Sequence, residues 1–138
     1  DHFADSLRLA FLLRDVFMDY IATATAAAKT IHQDFSCGYY TLPAIHTFTY
    51  PSCGELLRKI AADLQSGVRC REEAAAEISK LMEDADGYGY TMRLIRGYCE
   101  EAIRALNVFR DSEAKQCLKQ IVESVCKGAE RLMDNYML

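Results

Sequence analysis

A chain of 138 residues, 51% of them hydrophobic, has the length of one domain and the apolar material for a core, which excludes a fold held together by cross-links alone. Lys and Arg number 16 against 20 Asp and Glu, and the net charge of −4 with no like-charged block excludes a nucleic-acid role, because phosphate binding needs a cationic face. Two prolines, seven glycines, no Trp and a dominance of Ala, Leu, Glu, Arg and Lys point to an all-α chain and against disorder or a β-sandwich.

In chain order, residues 4–28 are nearly all helix formers. Leu7, Leu9, Phe11, Leu12, Leu13, Val16, Phe17, Met18 and Ile21 put apolar groups around most of the circumference, the pattern of a helix inside a bundle. A break is expected over 33–38, and Thr41-Leu42-Pro43 restarts a short helix ending near Phe48, with Pro in its first turn. Ser52 and Glu55 have the spacing of a capping box for a helix that runs to about Leu64 and stops at Gly67. A further helix is expected from Arg71 to Asp84, a turn over Asp86-Gly87-Tyr88-Gly89, and a helix from Tyr90 to Phe109 carrying Leu94, Tyr98, Ala102, Ala105 and Leu106 along one side. Gly97 within it suggests close packing. Asp111 or Ser112 caps the last helix, in which Leu118, Ile121, Val122, Val125, Ala129 and Leu132 keep the 3.6-residue period. With no repeat and no long linker, residues 1–138 read as a single all-α domain.

Cysteines at 37, 53, 70, 99, 117 and 126 form no CxxC and no Cys/His cluster, so no zinc site is legible. Cys117 and Cys126 fall on opposite sides of one helix and cannot bridge. Reduced thiols in a cytoplasmic protein are expected. No signal peptide is visible in the sequence. The most apolar stretch, 11–28, is interrupted by Arg14, Asp15 and Asp19, so no membrane span is expected. The first residue is Asp, not Met, which suggests that the sequence was cut from something longer or lost its natural start.

Asp15 and Asp19, four residues apart, share one face of the first helix with Asp5, Arg8 and Leu12, between apolar flanks. That spacing suits an ordinary solvated stripe, and it also suits a hard divalent cation whose remaining oxygens come from an anionic ligand. His2, His32 and His46 have no metal-ligand spacing. His46 is expected near the core, Tyr39 and Tyr40 in aromatic packing, and Cys37 as an inert thiol.

Phe11-Leu12-Leu13-Arg14-Asp15-Val16-Phe17-Met18-Asp19-Tyr20, followed by Lys29, Asp34, Gly38 and Thr41-Leu42-Pro43, resembles the second aspartate-rich region of the trans-isoprenyl diphosphate synthases, the polyprenyl synthetase family. That region reads F-Q-x-x-D-D-x-x-D and then G-K-x-x-G-x-D-L-x-x-G-K-x-T-L-P. The stretch from Tyr98 to Val125 is similar to the family's closing helices, so the likeness covers almost the whole chain but only the family's C-terminal half. The resemblance implies a helical bundle of the isoprenoid synthase type. It implies a transferase of isoprenoid biosynthesis that uses Mg²⁺ to ionise an allylic diphosphate and join it to isopentenyl diphosphate. The first aspartate-rich motif would come from a missing N-terminal part or another chain, and homo- or hetero-oligomers, usually dimers, are expected.

Carried over by position, Asp15 and Asp19 match the metal-binding first and last aspartates, and Lys29 matches a diphosphate-contacting lysine. Asp34 matches the acid of the D-L-x-x-G-K element. Arg8, Phe11 and Leu12 are the further substrate-facing candidates, Arg8 for charge and the apolar pair for the prenyl chain. Val16 stands where the family has the middle aspartate, Leu12 where it has glutamine, and Tyr39 where it has the second lysine. Each change removes a charge or a polar contact from the diphosphate cradle and lowers the expected magnesium affinity. The resemblance also leaves room for a non-catalytic regulatory subunit of a prenyl synthase, or for a terpene cyclase on the same scaffold.

Overall fold

The computed structural model describes residues 2–21 and 33–137, apart from the side chains at 19–21, 136 and 137. The described chain is all-α: α1 (His2–Ile21), α2 (Gln33–Ser36), α3 (Leu42–Phe48), α4 (Pro51–Gln65), α5 (Arg71–Asp84), α6 (Gly87–Leu106) and α7 (Glu113–Met137), with no strand among the described residues. The chain divides into two compact units, one holding the residues up to Asp15 together with those from Met92 onward, the other holding Val16–Thr91.

In the Val16–Thr91 unit, the α3 start agrees with the expectation: Thr41 is the extended N-cap and Pro43 lies in the first turn, where a missing N–H leaves nothing unsatisfied. The expected box at Ser52 and Glu55 does not form. Tyr50 is the N-cap of α4 and Pro51 opens it, so Ser52 already lies inside the helix. Gly67 follows α4 with a φ of +75, the left-handed exit that glycine allows. α5 has the expected bounds, and its start is fastened by Glu73, whose carboxylate accepts from the Cys70 N–H at 3.3 Å.

The expected turn over 86–89 is corrected to a single left-handed residue. Asp86 takes a φ of 56, and Gly87 is already helical. Gly87 is needed there for a different reason: a Cβ on it would lie 2.9 Å from the Pro43 carbonyl oxygen and 3.2 Å from that of Met82. The first turn of α6 thereby sits against α3 and the end of α5. Phe17, Phe35, Leu57, Ile78, Met82 and Tyr88 fill the core of this unit, with Phe17 meeting Tyr88 edge to face at 6.3 Å.

In the other unit, Ser6 and Ala10 of α1, Met92, Ile95, Cys99, Ala102 and Leu106 of α6, and Val122, Val125 and Ala129 of α7 are buried. The 3.6-residue period of α7 is therefore real, although Ile121, placed in it from sequence, is 49% exposed. Gly97 has no atom within 4 Å of a built Cβ, so the close packing expected there is absent. Ser112, rather than Asp111, caps α7: its Oγ accepts from the Lys115 N–H at 3.1 Å.

Lys115 is itself buried, and its Nζ donates to the Phe109 carbonyl and to Asp111 Oδ1, both at 2.9 Å. That hydrogen bond holds the Asp111 carboxyl below the ordinary aspartate range. A carboxyl with a lowered folded pKa contributes stability above its unfolded value, and the contribution is lost as pH falls through the folded one. Asp111→Asn is therefore expected to lower stability at neutral pH and to match the parent protein in strongly acidic solution, a convergence that denaturant titrations across pH would detect.

Candidate functional site

α1 was expected to be enclosed on most sides, and it is covered on one side only. Ser6, Ala10 and Phe17 are buried, while Leu9, Phe11, Leu12 and Met18 are all at least 40% exposed. Arg8, Phe11, Leu12 and Asp15 project within an arc of roughly 100° on the open side, and all four are exposed. The structure thus brings together four of the seven candidate positions: a carboxylate, a guanidinium and two apolar side chains on one surface. Asp34 lies in the single turn of α2, partly buried. The Asp19 side chain and all of Lys29 lie outside the described residues.

A residue outside the seven candidates shapes this surface. Arg14 projects about 100° from Asp15, yet its long side chain folds back so that Nη2 lies 3.3 Å from Asp15 Oδ1. The same guanidinium stacks over the Phe11 ring at 4.5 Å, and a Cβ on Gly128 of α7 would lie 3.7 Å from Arg14 Cδ. Arg14 is thus wedged by its stem, and its Nε is buried with no hydrogen-bond partner. The signal that could have revealed it is the bare Gly128, which leaves room for the arginine stem against α7.

The donor set limits what a cation could find here. Among the described residues no group of three His, Cys, Asp or Glu could hold a metal. Asp15 offers Oδ1 to Arg14, with 52% of its side chain exposed. This does not fit a cage made by protein alone. It does fit Mg²⁺, which keeps several waters and is commonly bound by one or two carboxylates plus substrate phosphates.

The loop after α2 holds its shape through aromatic packing. Phe35 is 1% exposed and meets Tyr40 at 5.3 Å, and Tyr40 meets Phe48 edge to face at 5.1 Å. Tyr40 OH accepts from Gln65 Nε2 at 3.1 Å, and Gly38 turns the chain at a φ of +85. Tyr40 therefore packs as expected, whereas Tyr39, in the position of the family's second lysine, is 71% exposed. Tyr40, Phe48, Arg58 and Gln65 also line a cavity of about 450 Å³. His46 stacks on Tyr90 at 4.1 Å with its Nε2 buried, which agrees with a core histidine.

The chain is 31% identical over 127 residues to a probable mitochondrial hexaprenyl pyrophosphate synthase of Neurospora crassa, covering 91% of this chain and 26% of that protein. It is 30% identical over 112 residues to the octaprenyl diphosphate synthase of Haemophilus influenzae, covering 81% of this chain and 33% of that protein. A decaprenyl-diphosphate synthase of Dictyostelium discoideum is 26% identical over 84% of this chain and 24% of its own length. The likeness to polyprenyl diphosphate synthases therefore runs through most of the chain, which spans about a quarter to a third of the length of these relatives and matches their C-terminal half. No protein-family model and no solved structure matches it.

Proposed function

We propose that this chain supplies one wall of the diphosphate site of a prenyl-chain-elongating synthase, which joins an allylic diphosphate to isopentenyl diphosphate. The observation that carries the reading is the open side of α1, where exposed Asp15 and Arg8 share a surface with exposed Phe11 and Leu12. Exposed Phe11 and Leu12 beside Asp15 and Arg8 give that face both apolar and ionic surface. A face that receives a lipid diphosphate needs both kinds. The first aspartate-rich motif is supplied from outside this sequence, by further chain or by an associated subunit.

When bound, Mg²⁺ supplies neutralisation of the charge that develops on the leaving pyrophosphate oxygens. Asp15 and Asp19 would hold it, with diphosphate oxygens and water completing its shell. Arg8, free of the helix interior, orients the anionic head, and Lys29 adds a second positive charge. Phe11 and Leu12 keep the prenyl chain against an apolar surface and exclude water, which would otherwise capture the allylic cation. Arg14 pairs with Asp15 at 3.3 Å, a contact that would have to open for Asp15 to hold the metal.

Val16 and Tyr39 favour a second reading, a non-catalytic partner subunit, because each replaces a charged group of the family's cradle. Activity of the complete protein separates the two. Magnesium-dependent release of pyrophosphate from an allylic diphosphate plus isopentenyl diphosphate, with a lengthened product, is expected from the elongating enzyme. Dependence of that activity on a separate catalytic homologue is expected from the partner subunit. Release of pyrophosphate without isopentenyl diphosphate, giving a cyclic hydrocarbon, would contradict both. No described helix is long and apolar enough to cross a membrane, and a reducing compartment that keeps the cysteines as thiols is part of the proposal.

A further inference from the structure

α6 and α7, joined by a short connection, run antiparallel in a register fixed by one ion pair. Arg96 Nε of α6 meets Glu130 Oε1 of α7 at 3.1 Å. One turn inward on each helix, Cys99 and Cys126 lie on the two facing helices and line the same cavity. One further turn on each helix brings Ile103 and Val122, and all six residues line one cavity of about 270 Å³. Cys99 is 3% exposed, whereas Cys126 is only partly buried, with its Sγ 3.9 Å from Glu130 Oε1. Spacing along the chain had considered only Cys117 with Cys126, because the facing pair belongs to two helices.

We propose that Cys99 and Cys126 are an oxidation site, closing on exposure to a hydroperoxide into a disulfide that staples α6 to α7. Burial pushes the Cys99 thiol up to about 12 and raises that of Cys126, so both are protonated at neutral pH and react only slowly, with peroxide in excess. The more accessible Cys126 is the point of entry. Its sulfur takes one peroxide oxygen, the O–O bond breaks, and a sulfenic acid and one water leave hydrogen peroxide. Cys99 sulfur then displaces the hydroxyl from Cys126 sulfur, the S–S bond forms, and the Cys99 proton leaves with the hydroxyl as a second water. The two sulfurs together lose two electrons, which reduce the peroxide to water.

The test uses the full chain with Cys37, Cys53, Cys70 and Cys117 replaced by serine, treated with hydrogen peroxide and verified as folded by circular dichroism. The expected product is a monomer lighter by two hydrogens, with a Cys99–Cys126 peptide on mapping. Its Tm is expected to rise by on the order of 10 °C, as for a loop of this length, and to fall back on reduction. With Cys99→Ala in the same background, Cys126 is expected to accumulate as a sulfenic acid trapped by dimedone, with no rise in Tm. Two free thiols surviving peroxide, or Cys126 advancing to sulfinic acid with Cys99 still reduced, would overturn the proposal.

Discussion

Under the proposed function, Asp15→Ala in the complete protein is expected to lower magnesium-dependent pyrophosphate release by about 10²-fold or more, the loss typical when one preorganised electrostatic group is removed from a developing anion. Stability should change little, because Asp15 is exposed and its ion pair with Arg14 is a surface contact. The conservative Asp15→Asn tests charge at nearly constant shape and should behave as Asp15→Ala does. If the loss appeared in KM alone, with kcat untouched, Asp15 would serve only uniform binding and the metal-holding role would fail. Full turnover in either variant would remove Asp15 from the site altogether.

Phe35→Ala carries the largest stability effect. Phe35 is 1% exposed and packs on Tyr40 and Phe48, and truncation of such a ring costs about 3–5 kcal/mol. The lost ring also frees the turn that carries Asp34 and Gly38. A lower denaturant midpoint with an unchanged slope is therefore expected. Phe35→Leu keeps most of the volume and should lose less than half as much. A midpoint shift worth under about 1 kcal/mol for Phe35→Ala would show that this aromatic group does not anchor the loop.

What was legible in the sequence follows local physical chemistry. α5 was read with its true bounds because its period agrees with the break at Gly67, and the Thr41-Leu42-Pro43 start of α3 was clear because Pro fixes its own φ. The misreadings came where two local signals competed. Pro51 set the start of α4 ahead of the Ser52–Glu55 spacing, and the turn expected over residues 86–89 shrank to the left-handed Asp86, with Gly87 already helical. The polar stripe of Asp5, Arg8 and Asp15 marked the exposed side of α1, but periodicity could not tell how far that side extends into the apolar residues, since Leu9 and Ala10 look alike to it and differ entirely in exposure.

The candidate site was legible for Arg8, Phe11, Leu12 and Asp15, whose common face follows from helical geometry. Arg14 was not, because the reach of a flexible side chain is decided by what it packs against, here the gap at Gly128. Nor could spacing reveal the Cys99–Cys126 pair, since it depends on the register of two helices fixed by Arg96 and Glu130.

The central claim is that the open side of α1 receives a metal-bound diphosphate. Paramagnetic Mn²⁺, which substitutes for Mg²⁺ in sites of oxygen ligands, tests it directly when added to the isotope-labelled protein with an unreactive allylic diphosphate analogue. Selective broadening of the amide signals of Arg8, Phe11, Leu12 and Asp15, requiring both metal and analogue and abolished by Asp15→Ala, is the predicted result. Broadening centred elsewhere, or an α1 face untouched by metal and analogue together, would contradict the account.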